Sequence, residues 1–172
     1  MMADLRSHLK SNRSNPVTVM VLVTYCFGSW LYRDFKVPVL RKLLWLLYRA
    51  MDLVFVRILG HGEVSPYCKI GRNLHLPHGI NGVFINAKAV IGSRVTIFHQ
   101  VTLGDRNQLG SPTIGDGAFI GAGAKILGPV RIGDNAQIGA NAVVVKDVPA
   151  GATAVGIPAQ IITSSRIRSA SG

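Results

Sequence analysis

The stretch GVFINAKAVIGSRVTIFHQVTLG (82–104), resumed as TIGDGAFIGAGAKILGPVRIGDNAQIGANAVVVKDVPAGATAVGIPA (113–159), decides the fold. An aliphatic residue recurs every six positions: Ile85, Ile91, Ile97 and Leu103, then Ile114, Ile120, Ile126, Ile132, Ile138 and Val144. Four places after almost every one stands Ala or Val, from Ala89, Val95 and Val101 through to Ala142 and Val148. Gly follows six of the ten, which suits a corner that needs backbone freedom. A period of six matches neither the helical 3.6 nor simple strand alternation. It fits a coil of short strands that turns a corner after each hexad and stacks on the coil below, with the aliphatic side chains laddered inside a prism. The class is mainly β with a helical amino-terminal segment.

From about Cys68 to Ile162 these hexads resemble the hexapeptide-repeat acyltransferases. The resemblance implies a left-handed parallel β-helix with three hexads per coil, assembled as a homotrimer. The hand comes from the family alone, because most parallel crossovers are right-handed and a six-residue period is silent on it. The chain divides into a helical segment (1–60), a β-helix domain (61–163) and a basic tail (164–172).

The 172 residues are 48% apolar and 16% charged, which excludes a disordered chain. Net charge is +11, split as +6 over residues 1–60 and +5 over the remainder. So even a spread argues against nucleic acid, which selects a clustered patch, and suits an anionic small ligand or an anionic membrane surface. Cys26 and Cys68 form no disulfide framework, which points to a reducing compartment. The first 16 residues are polar and show no secretory leader, so the expected location is cytoplasmic, with a peripheral position on the inner membrane face as the refinement.

Val17–Tyr32 is free of charge but, at 16 residues, short for a membrane span. Val37–Leu59 is helical in composition, with Pro38 near its start and Gly60 past its end. Its charged residues gather on one broad side, so it is amphipathic. Two uses fit residues 17–59: helices packed on one another and on neighbouring subunits, or peripheral contact with a membrane. The prefix ADLRSHLKSNRSNP and the run LWLLYRAMD look like those of serine-acetyltransferase-like enzymes of exopolysaccharide synthesis, the colanic acid acetyltransferase type.

The repeat breaks twice. Between Leu76 and Ile85 its phase slips by three residues through PHGINGVF, a bulge-like insertion that carries His78. Asp105–Pro112 delays the next hexad by five and reads as a protruding loop. With three hexads per coil, those beginning at Leu76, Ile97, Ile120 and Ile138 share a face. Their third residues are His78, His99, Ala122 and Ala140. Coils stack about 4.8 Å apart, so the two imidazoles are expected to be neighbours above a strip of small residues.

The resemblance supplies a use for that strip: acetyl-CoA in a groove between subunits, its thioester beside a catalytic histidine. IGRNLHLPHG (70–79) looks like the serine acetyltransferase motif that carries this residue, which lands on His78. Imidazole titrates near neutrality and can take the acceptor hydroxyl proton. Backbone N–H groups freed at the insertion would meet the oxyanion. His99 would orient His78 or touch the acceptor, and His75 points elsewhere. GAGAKILG (121–128) resembles the cofactor-binding coil, so Gly104, Gly121, Ala122, Lys125, Ala140 and Lys146 are the expected CoA contacts. Val148–Ile162 resembles the end-cap.

Two departures bear on the acceptor. Serine acetyltransferases place an acid immediately before the catalytic histidine, where this chain has Pro77. Their protruding loop is longer and carries an Arg-His pair; this one keeps Asp105 and Arg106 without the histidine. An ammonium needs a carboxylate, whereas a sugar hydroxyl needs only hydrogen-bonding groups such as Asn81 and Asn86. The expected acceptor is therefore a sugar hydroxyl in exopolysaccharide or capsule synthesis, with serine of cysteine biosynthesis as the alternative. A scaffold, or a γ-carbonic-anhydrase-like metal site using His75, His78 and His99, stands behind both; no metal is expected.

Overall fold

The computed structural model describes residues 2–162; the 164–172 tail lies outside them. Every strand is two or three residues long, and each runs to a corner of a three-sided column. The first face holds β1 (Glu63–Val64), β3 (Phe84–Ile85), β6 (Thr102–Gly104), β9 (Lys125–Leu127) and β12 (Val143–Val144). The second holds β2 (Lys69–Ile70), β4 (Val90–Ile91), β7 (Thr113–Ile114) and β10 (Arg131–Ile132). The third holds β5 (Thr96–Ile97), β8 (Phe119–Ile120), β11 (Gln137–Ile138), β13 (Thr153–Val155) and β14 (Gln160–Ile162). All pairings are parallel except β13–β14, a hairpin that closes the stack.

The register is the sequence period made visible. Ile85, Leu103, Ile126 and Val144 align on one face; Ile70, Ile91, Ile114 and Ile132 on the next; Ile97, Ile120 and Ile138 on the third. The Ala and Val residues four places on are buried with them, so two ladders per face fill the interior. Burial of each Ile or Leu contributes about 1.5–3 kcal/mol, and dense repetition of that term holds coils too short to be stable alone.

The glycines after the ladder residues have a different cause from the one the sequence suggests. Gly92, Gly115 and Gly121 do not adopt positive φ. A Cβ on Gly92 would lie 2.5 Å from Asp116 Oδ1, and one on Gly121 would lie 2.7 Å from the Ala140 nitrogen. They are small because the next coil passes directly beneath. The left-handed residues fall two places later, at Arg94, Gly117, Gly123, Asn135 and Asn141.

The amino-terminal segment forms α1 (Met2–Ser11), α2 (Pro16–Arg33) and α3 (Pro38–Met51), which passes into a π-helix, Asp52–Ile58, where one α-helix was expected. At its end Leu59 N–H reaches Val54 O at 2.9 Å, and the wider turn sets Arg57 Nε 2.9 Å from Asp52 Oδ2. That hydrogen bond is the chief reason the guanidinium pKa is raised. Among the described residues, no helix is long and apolar enough to cross a membrane. Instead α2 lays Val21, Leu22, Tyr25 and Cys26 on the open end of the column, in one cluster with Leu74, Leu76 and Ile80.

Covering that end requires polar groups too, because its topmost segment has no coil above it. Buried Asn12 supplies them: its Nδ2 donates to Leu74 O at 2.7 Å, and its Oδ1 accepts from Leu76 N–H at 2.8 Å. His8 Nδ1 accepts from Leu74 N–H at 3.2 Å. Asn12→Ala leaves an N–H and a C=O buried without partners. The expected loss is about 1–3 kcal/mol, read as a lower urea midpoint with unchanged slope. Cys68 is fully buried, and desolvation pushes its thiol up to about 12. Near pH 8 it is therefore expected to resist iodoacetamide in the folded chain and react once urea unfolds it, as mass spectrometry would record.

Candidate active site

His75 N–H donates to Val95 O at 2.9 Å, which ties this segment to the coil below it. Pro77 then diverts the chain, and the three extra residues form a turn over 77–82. Gly79 and Gly82 adopt φ of +73° and +67°, the left-handed region open to glycine without strain. The insertion is a tight turn, not a β-bulge. Two of its N–H groups are committed, Gly79 to Leu76 O at 3.0 Å and Gly82 to His61 O at 2.8 Å, so neither is free for an oxyanion.

His78 is exposed on this turn, and half-buried His99 leaves the end of β5 one coil below. Their Nδ1 atoms are 2.9 Å apart and the ring centroids 4.9 Å. One Nδ1 must carry the hydrogen and the other the lone pair. Each ring keeps Nε2 for other partners. Phe98 meets His78 edge-on at 5.1 Å and leans on Phe119 at 5.2 Å, so an aromatic row braces the imidazole. A cleft of about 190 Å³ opens beside His78 between Asn15, Val17, Leu59, Gly60, Ile80 and Asn81.

Below the histidines the corner continues through Ala122 and Ala140. Gly123 N–H donates to His99 O at 2.9 Å and Asn141 N–H to Ala122 O at 2.8 Å, so each coil sits squarely on the next. Gly121 is buried just before Ala122. Asn81 belongs to the same corner, its carbonyl accepting from Gln100 N–H at 2.8 Å. Lys125 reaches back to it, with Nζ 2.6 Å from Gln100 O.

The other expected residues occupy the opposite edge of the first face. Gly104 ends β6, while Asp105 and Arg106 begin the loop that leaves it. Asn86 Oδ1 accepts from Ser111 Oγ at 2.8 Å and from Lys88 N–H at 3.0 Å, which fixes the base of that loop. Lys146 lies exposed beyond β12 on the same edge. One chain therefore brings together His78, His99, Asn81, Gly121, Ala122, Lys125 and Ala140. It holds Asn86, Gly104, Asp105, Arg106 and Lys146 apart from them. Among the described residues no three His, Cys, Asp or Glu side chains converge as metal ligands, and His75 does not join the pair.

Sequence reasoning missed the support from the helices. Asn15 caps α2, accepting from Thr18 N–H at 3.1 Å. A Cβ on Gly79 would stand 3.2 Å from both Asn15 Nδ2 and Thr18 Oγ1, so the helix start presses on the turn that carries His78. The Asn15–Pro16 pair, a helix-start signature, was the available signal. Phe98 had none beyond its place beside His99.

A family profile described as bacterial transferase hexapeptide (six repeats) matches residues 111–146. A serine acetyltransferase of Mycobacterium tuberculosis is 40% identical over 176 residues, covering 96% of this chain and 73% of its own length. A soybean serine acetyltransferase complexed with serine superposes with a TM-score of 0.74 at 34% identity, over 93% of this chain and 67% of that one. A serine acetyltransferase in complex with CoA gives a TM-score of 0.69 at 28% identity, and there the chain spans 66% of its counterpart. The column shares their left-handed parallel β-helix. The chain belongs to the hexapeptide-repeat acyltransferases of the serine acetyltransferase type.

Proposed function

We propose that this chain is an acetyl-CoA-dependent O-acetyltransferase that acetylates the hydroxyl of L-serine. The observation that carries the chemistry is the 2.9 Å contact between the His78 and His99 Nδ1 atoms at the head of a small-residue strip. The relatives carry the acceptor: the mycobacterial protein matches along nearly the whole chain, and the soybean structure is a serine complex.

In this reading His78 donates its Nδ1 hydrogen to His99, which leaves His78 Nε2 bare as the base. Nε2 takes the hydroxyl proton while the acceptor oxygen attacks the thioester carbonyl. As the carbon–sulfur bond breaks, the same nitrogen returns the proton to the departing sulfur. His99 stabilises the transient imidazolium through the Nδ1 contact and keeps the ring oriented; it is a positioning residue. Ala122 and Ala140 leave room for pantetheine, and Gly121 sits where a side chain would strike the coil beneath. The separation of the two residue groups fits a trimer in which the groove takes His78 from one chain and the Asp105–Pro112 loop from its neighbour. A cytoplasmic location follows from the substrates in this reading.

A second acceptor is favoured by one specific feature. Pro77 offers no carboxylate to an ammonium, which suits an uncharged sugar hydroxyl of an exopolysaccharide precursor. CoA release measured with serine and with free sugars separates the two: turnover with serine alone is expected, and turnover with sugars alone overturns the serine assignment. His78→Ala is expected to lower kcat/KM about 10²- to 10⁴-fold, and His99→Ala to lower it less. Nitrogen-15 NMR of the histidines is expected to show His78 in the Nδ1–H form and His99 in the Nε2–H form. His99→Phe would abolish that preference in His78.

A further inference from the structure

We propose that the outer face of α3 and the π-helix is an in-plane docking surface for an anionic lipid membrane. Tyr48, 6% exposed, marks the side of α3 that meets the body of the molecule. The opposite side shows Val39, Leu40, Leu43, Leu46 and Leu47, with Leu53 one turn on, and their exposures range from 45% to 81%. From Val39 to Leu47 these positions recur at three- and four-residue spacing, and exposed Ala50 links them to Leu53, so they form one continuous stripe along about four turns of helix. A side chain such as Leu46, 67% exposed, contributes nothing to this fold where it stands.

Charge selects the occupant. Lys42 and Arg49, seven residues apart and both exposed, border the stripe in one row, and α3 contains no Asp or Glu. Asp52, just beyond it, is engaged by Arg57 at 2.9 Å. A second copy docked stripe to stripe would set basic rows together with no carboxylate to answer them. Lipid headgroups answer them directly. A shallow cleft of about 510 Å³, lined by Leu46, Arg49, Ala50, Asp52, Leu53 and Arg57, places the Arg49 guanidinium beside apolar side chains, as a phosphodiester at the edge of a hydrocarbon layer requires, while Arg57 is held by Asp52 and, at 3.7 Å, by Glu63. The helix lies in the surface, because no described helix is long and apolar enough to cross it. The N-terminal segment as a whole carries +6, which adds long-range attraction.

The test is vesicle flotation of the full chain with pure phosphatidylcholine and with an equal mixture of phosphatidylcholine and phosphatidylglycerol. Binding is expected to be at least about ten-fold stronger to the mixture and to weaken with added salt. The double variant Leu43→Glu/Leu47→Glu is expected to abolish flotation while circular dichroism and native mass stay unchanged, since both residues are exposed. Lys42→Gln/Arg49→Gln is expected to reduce binding to the mixture alone. Failure to float with either vesicle overturns the proposal, as does flotation that survives the leucine substitutions. A fall in native mass of the leucine variant in lipid-free buffer also overturns it, because the stripe is then covered by a second copy. None of these readouts depends on acetyl transfer.

Discussion

Coil-on-coil stacking governs this molecule. Each coil places an aliphatic side chain directly over its counterpart about 4.8 Å below, and the parallel backbone bonds form in the same motion. Neither interaction survives without the other, since two-residue strands cannot persist unless their ladders are buried. Where coils touch at a corner the outer residue must be small, as at Gly92 and Gly121; where the chain turns, a left-handed residue follows two places on.

A lattice this regular confines chemistry to the places where it is interrupted. The three extra residues after Leu76 fold the chain into a turn that carries His78 and hold it against His99 from the coil below. A straight continuation would have given His78 the corner-turn geometry of Ala122 and Ala140. The second interruption leaves the opposite edge of the first face, and Asn86 with Ser111 pins its base. Both insertions are therefore held by the coils around them, which is how a repetitive scaffold keeps irregular backbone in place.

The open end of the column couples stability to the site. A stack must finish without leaving unpaired strand groups buried, and here His8 of α1 and Asn12 just after it finish it. Asn12 bonds Leu74 and Leu76, and two residues later stands His78; Asn15 presses on Gly79 from the same helix junction. The helical prefix and the histidine pair form one piece of construction. The outward side of α3 has no part in it, and its leucine stripe answers to something beyond the chain.

The sequence alone determined the column, because a six-residue aliphatic period has one efficient burial geometry and every ladder from Ile85 to Val144 obeys it. With the three hexads per coil that the family resemblance implies, it also led to the meeting of His78 and His99, since register is then arithmetic. The reason for the corner glycines was not legible: close approach between coils is a relation across 18 or more residues, and a one-dimensional pattern cannot separate it from backbone freedom. Nor was the role of Asn12, whose partners lie 62 and 64 residues away. Tertiary structure alone decided which side of α3 faces the protein, because packing against α2, where the Tyr48 ring meets Gly28, selects the buried face and leaves the leucines outside. It likewise put Asn86 and Lys146 on the far edge of a face whose near edge holds the histidines, a separation fixed by the direction in which each strand crosses the prism.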